Sequence, residues 1–159
     1  MKRMYVLASA ILIVFVICSC GNNTQTSNAG SASPATAATT PADQTASDPG
    51  IGNYKNVQLT HPLDTKMAEN GKNIYEVKCL ACHKLTTEKV VGPGWKGVTD
   101  RRSPEYILNF VTNTDEMLEK DPNAKQLLSV CMVRMPNQHL SDIEARSVLE
   151  FMRQNDGKN

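Results

Sequence analysis

The segment Cys79-Leu80-Ala81-Cys82-His83 sets two thiols three residues apart with an imidazole directly after the second. Three chemistries use such a set: half of a tetrahedral zinc site, a redox-active dithiol, and two sulfurs that bond covalently to a haem whose iron takes the histidine. The rest of the chain discriminates between them. A closed zinc site needs four ligands, and elsewhere only Cys131, His61 and His139 are on offer, without a second paired cysteine or a His-x-x-x-His. A catalytic dithiol calls for a βαβ setting, and no alternating or β-branched run is long enough to propose a sheet. That leaves haem. Cysteines at i and i+3 near the end of a helix face the same way, so each sulfur reaches one haem vinyl group and His83 is delivered to the iron. The five cysteines give no disulfide framework: Cys18, Cys20 and Cys131 lie outside the pair, and Cys131 has no obvious partner.

The elements that would position this motif begin only after a long N-terminal preface. Lys2 and Arg3 precede an apolar run from Met4 to Cys18, too short for a comfortable membrane span and suited to a signal peptide over residues 1–19. Export is the expectation. Ile17-Cys18-Ser19-Cys20 resembles the lipobox of bacterial lipoproteins, which implies that Cys20 carries lipid and anchors the mature chain to a membrane; an uncleaved anchor or an ordinary signal peptide are the alternatives. From Gly21 to Gly50 the chain is Asn, Gln, Ser, Thr, Ala, Gly and Pro, with Asp43 and Asp48 its only charges. Such a stretch cannot bury enough apolar surface to offset its ordering entropy, so residues 20–50 are expected to be a disordered tether and residues 51–159 one folded domain. Seventeen Lys and Arg against sixteen Asp and Glu give no pull toward nucleic acid.

Within the domain, Gly71, Tyr75 and Cys79 in GKNIYEVKC recur at intervals of four, one face of a helix. VVGPGWKGV supplies a Gly-Pro turn with Trp95. Ser103-Pro104 and Asp121-Pro122 each pair a polar N-cap with proline at the first helical position, and open helices of about ten residues. Ser141-Asp142-Ile143-Glu144 is a capping box that opens a last helix.

Taken in order over residues 65–154, these motifs resemble the class I monohaem cytochromes c. The resemblance implies an all-α fold of about four to five helices around one covalent haem c, with Gly71 and Tyr75 meeting Val148 and Phe151, or alternatively Leu149 and Met152, where the first helix crosses the last. It implies that Pro93 C=O accepts a hydrogen bond from the second nitrogen of His83 and that Trp95 packs on the haem. It makes Met135, followed by Pro136, the sixth iron ligand opposite His83, with Met132 as the alternative; His61 or His139 would make a bis-histidine site and are expected at the surface. Arg101 or Arg102 would face the haem propionates. The function implied is that of a one-electron carrier, a monomer and not an enzyme, shuttling between respiratory donor and acceptor proteins in the cell envelope. A haem sensor or small haem enzyme with an open sixth site is the alternative, and a zinc-stabilised lipoprotein a third. Lys72 to Arg102 carries seven cations against three anions, and Glu105 to Asp121 one against five, so a basic rim that steers an acidic partner is a further expectation.

Overall fold

The computed structural model describes residues 47–159. The signal segment, Cys20 and the tether through residue 46 lie outside the described residues.

Among the described residues six helices follow one another: α1 Thr65–Lys78, α2 Val98–Arg101, α3 Pro104–Thr112, α4 Thr114–Lys120, α5 Pro122–Cys131 and α6 Asp142–Asn155. Each long helix starts where a side-chain oxygen is placed to take an orphan amide. Asp64 accepts from Met67 N at 2.9 Å, Ser103 from Tyr106 N at 3.0 Å and Asp121 from Ala124 N at 2.8 Å. At Ser141 the capping box closes in both directions with Glu144. Among the described residues there is no strand, only an isolated bridge between His83 and Lys89.

The count of six exceeds the expected four to five because α2 and α4 lack the signals that announce the others. A single turn, α2 starts from Gly97 in the left-handed region, and α4 starts at Asn113 without a side-chain cap bond. Asn113 also ends α3, where its extended φ of −130° breaks the helix between two helical runs.

The core forms where α1 crosses α6. A Cβ at Gly71 would fall on the carbonyl of Ser147 and 2.9 Å from Phe151 Cβ, so glycine lets the two backbones touch. Around the crossing pack Tyr75, Trp95, Ile107, Leu108, Val148, Leu149, Phe151 and Met152. A second cluster lies between α3, α4 and α5: Tyr106, Met117, Leu118 and Ala124, with Ile51, Phe110, Leu128 and Met135 against it. The packed body begins before residue 51, the boundary read from composition. Ser103 Oγ donates to Asp48 O at 2.7 Å, Asn109 Nδ2 to Pro49 O at 2.8 Å and Asn123 Nδ2 to Asp48 Oδ2 at 2.8 Å. Buried Asn109 also binds Tyr54 at both its amide and its carbonyl, which seals this strap along α3.

Candidate functional site

Helix α1 ends at Lys78, and Cys79 is its C-cap. From there the motif makes a turn of its own: Cys82 N and His83 N both donate to Cys79 O, at 3.1 and 2.9 Å. That turn brings Cys79 and Cys82 close in the chain, with Cys79 buried and Cys82 half-buried, and places the His83 ring beside Trp95 and Pro93. Tyr75 Oη donates to His83 O at 2.8 Å and ties the end of the turn to α1.

Cys79 and Cys82 are not joined in a disulfide. Burial pushes the Cys79 thiol up to about 11. A redox dithiol needs the opposite, an electropositive and accessible cysteine with a depressed pKa, so the dithiol reading loses its chemistry here. The zinc reading loses its second half: among the described residues no three His, Cys, Asp or Glu side chains gather into a metal-binding group.

His83 is held from three sides. Its Nδ1 lies 2.9 Å from Pro93 O, and since a carbonyl only accepts, Nδ1 carries the proton and Nε2 keeps its lone pair. Burial pushes the imidazole pKa below the ordinary histidine value, outweighing the Pro93 bond that raises it, so the ring is neutral at physiological pH. One ring face lies on the Gly92 backbone, where a Cβ would sit 2.7 Å from Nδ1. Trp95 approaches from another side at 5.6 Å between ring centroids, and itself stacks on Tyr75 at 4.9 Å. The Gly-Pro loop is pinned by Gly92 N to Cys82 O at 3.0 Å and Trp95 N to Lys84 O at 2.8 Å. Arg101 braces the same loop by donating to Lys96 O at 2.7 Å.

Between α5 and α6 lies the second candidate segment. Met132 is the C-cap of α5 in a left-handed conformation, and its side chain is 86% exposed. Met135 is half-buried against the second cluster. His139 and His61 are exposed, the latter bonded through Nδ1 to Asn159 O at 2.8 Å. Half-buried Cys131 ends α5. Of the two arginines, Arg101 is turned onto carbonyls, while Arg102 lies 4.6 Å over the Tyr106 ring with Nη1 buried and without a hydrogen-bond partner.

This donor set fits a c-type haem: two cysteines within one turn directly after α1, a neutral imidazole with one nitrogen engaged and the other free, and a buried guanidinium nitrogen without a partner. The sequence pattern of the cytochrome c family matches residues 68–156, a span that runs from α1 through α6 and includes the whole motif. The chain belongs to the cytochrome c family.

Relatives agree with that assignment. A cytochrome c-553-like protein of Synechocystis sp. is 31% identical over 62 residues, 38% of this chain and 59% of that protein, so this cytochrome c spans somewhat over half the length of that relative. The solved cytochrome c from Rhodothermus marinus superposes with a TM-score of 0.64 at 36% identity, over 67% of this chain and 90% of its own. An engineered cytochrome c from the same organism gives a TM-score of 0.64 at 34% identity, over 67% of this chain and 92% of its own. The fold is thus that of the class I cytochromes c, the cofactor is a covalently bound c-type haem, and the activity of the family is haem-based electron transfer.

Four positions around the motif were not singled out for these roles in the sequence. Gly92 makes room for the imidazole, the Tyr75 hydroxyl holds the His83 carbonyl, Lys78 reaches the methionine loop, and Arg134 ties that loop to Asp115 on α4. For Gly92 the signal was present, since glycine before proline in a turn invites the question of what lies against it.

Proposed function

We propose that this cytochrome c is a one-electron carrier whose haem is bonded to Cys79 and Cys82 and ligated by His83 and Met135, and that lipid on Cys20 tethers it to a membrane of the cell envelope. The observation that carries the reading is the His83 arrangement: burial keeps the imidazole neutral, Pro93 O fixes the tautomer, and Nε2 is left with a free lone pair.

When bound, the haem supplies a one-electron couple. Everything else is done by the chain. Cys79 and Cys82 hold the macrocycle permanently, so a small protein does not lose it to dilution. Pro93 orients His83 and raises its basicity, and Gly92 and Trp95 fix the plane of the ring. Trp95, Ile107 and Leu140 offer apolar surface that excludes water. Met135 would contribute a soft, neutral sulfur, and together with His83 it would hold the iron on protein ligands alone, which favours the reduced form and electron carriage over substrate binding. Arg102, with its unpartnered Nη1, is the better placed of the two arginines to meet a propionate. The donors and acceptors are respiratory proteins that dock briefly through a small contact, and the tether lets the domain move between them.

The test is to mature the full chain with haem and denature it. Covalent attachment predicts that colour stays with the unfolded polypeptide, and that Cys79→Ser with Cys82→Ser releases it. Haem that washes out of the unaltered chain on denaturation would refute the thioether assignment. Mass spectrometry of the N-terminal peptide recovered from membranes tests the tether: a lipid mass on Cys20 is expected, and an unmodified soluble chain would contradict it.

A further inference from the structure

We propose that Lys78 is a positioning residue that latches the loop carrying Met135 to the segment carrying the haem cysteines; the proposal rests on the reading of Met135 as the sixth ligand.

The loop has little else to hold it. Among the described residues, 133–140 make no backbone-to-backbone hydrogen bond, so between the end of α5 and the cap of α6 the bonds that hold the main chain involve side chains. Its internal bonds, Gln138 Nε2 to Pro136 O at 3.1 Å and His139 N to Asn137 Oδ1 at 2.9 Å, shape the loop without tying it to the body. Two cations make the connection, one on each side of Met135. Arg134 donates to Asp115 Oδ1 at 3.0 Å and lies 3.6 Å from Glu119 on α4, but all three side chains are well exposed, and ion pairs of that kind hold weakly and yield to salt. Lys78 Nζ donates to Gln138 O at 3.0 Å, a charge-assisted bond in a half-buried setting.

The position of Lys78 gives that bond its consequence. Lys78 is the last residue of α1 and precedes Cys79 directly, so it joins the segment that bonds the haem to the loop that would supply the distal sulfur. A carbonyl takes a cation without a matching acid, and the flexible lysine stem spans the gap. Without this latch the loop keeps the exposed Arg134 pairs, buried Leu140 and the apolar packing of Met135 itself as its attachments, and an incoming ligand displaces Met135 more easily.

Lysine in the last turn also complements the helix dipole, a purely structural role that would change stability without changing ligand exchange. The deciding experiment therefore titrates imidazole into the ferric, haem-matured full chain, optically, beside a thermal melt of each variant. In Lys78→Met imidazole is expected to bind about tenfold tighter, the factor set by losing one partly exposed charge-assisted bond. Lys78→Arg, which keeps a donor, and Lys72→Met, which removes an exposed cation paired only with Glu76 at 3.9 Å, should stay within about twofold. Lys78→Gln serves if Lys78→Met fails to mature. A lower melting temperature with unchanged imidazole affinity would overturn the latch and leave only the helix-end role. Met135→Ala separates the two failures: if it binds imidazole much more tightly while Lys78→Met does not, the latch alone is wrong, and if it changes nothing, the Met135 reading falls and the latch with it.

Discussion

At position 92 nothing larger than glycine fits, because a Cβ would lie 2.7 Å from His83 Nδ1 and 2.8 Å from Nε2. Gly92→Ala must push the imidazole off its plane or lift the loop from Cys82, and should cost about 2 kcal/mol in a denaturant melt of the haem-matured chain. His83 also makes stability depend on pH. Its folded pKa is held below the ordinary value near 6.5, so the unfolded chain takes up the proton first. The contribution is therefore complete above about pH 6.5 and lost as pH falls through the folded value. Melts at pH 7 and pH 5 should show lower stability at pH 5; equal or higher stability there would contradict a buried neutral histidine. At this scale the cysteines and histidine were readable because covalent attachment demands a fixed spacing within one turn, a signal local in sequence. Lys78 was not, since its partner is a main-chain carbonyl 60 residues away and carries no side-chain signature.

Among the elements, the crossing of α1 and α6 does most to place the motif. Gly71→Ala would gain about 1 kcal/mol of helix propensity but drives a methyl into the Ser147 carbonyl, so a net loss of about 2 kcal/mol is expected in a thermal or urea melt. On the far side of α6, Glu150 is fully buried between Arg153 at 2.5 Å and Arg146 at 2.9 Å, and these arginines donate onward to Thr60 O and Gln58 O. Removing the acid strands two guanidinium groups: Glu150→Ala should cost about 3 kcal/mol, and Arg146→Ala, whose side chain is partly exposed, clearly less. Caps made α3, α5 and α6 legible, and α1 was legible from the four-residue interval of Gly71, Tyr75 and Cys79, which brings Tyr75 to Phe151, 5.5 Å between ring centroids. The sequence hid α4 because only Met117 and Leu118 are apolar in its seven residues, too few to show a period, and its start lacks a side-chain cap. Composition likewise misplaced the strap: Asp48 and Pro49 read as linker, yet accept bonds from Ser103, Asn109 and Asn123 through backbone and carboxylate groups that no hydropathy pattern displays.

For the molecule as a whole, the local excess of cations between Lys72 and Arg102 is largely engaged. Lys72 pairs with Glu76, Lys78 and Lys96 bind carbonyls of Gln138 and Asn155, and Arg101 holds its own loop. The side-chain ammonium groups of Lys84 and Lys89, beside the haem motif, have no hydrogen-bond or ion-pair partner among the described residues, so steering by charge should be modest and local. The reduced protein is expected to transfer electrons to ferricyanide about twofold faster at 10 mM than at 200 mM salt, with the difference removed in Lys84→Glu with Lys89→Glu. A rate indifferent to salt in the unaltered chain would remove the steering idea. The central claim, a closed His/Met haem built for carrying electrons, is tested most directly by the optical spectrum of the haem-matured full chain, oxidised and reduced, with and without carbon monoxide. The account predicts low-spin spectra, no rapid response of the reduced form to the gas, and a long-wavelength methionine-to-iron band in the oxidised form that disappears in Met135→Ala. A high-spin ferric spectrum or fast binding of carbon monoxide would contradict it and show that the sixth position is open to a substrate or signal.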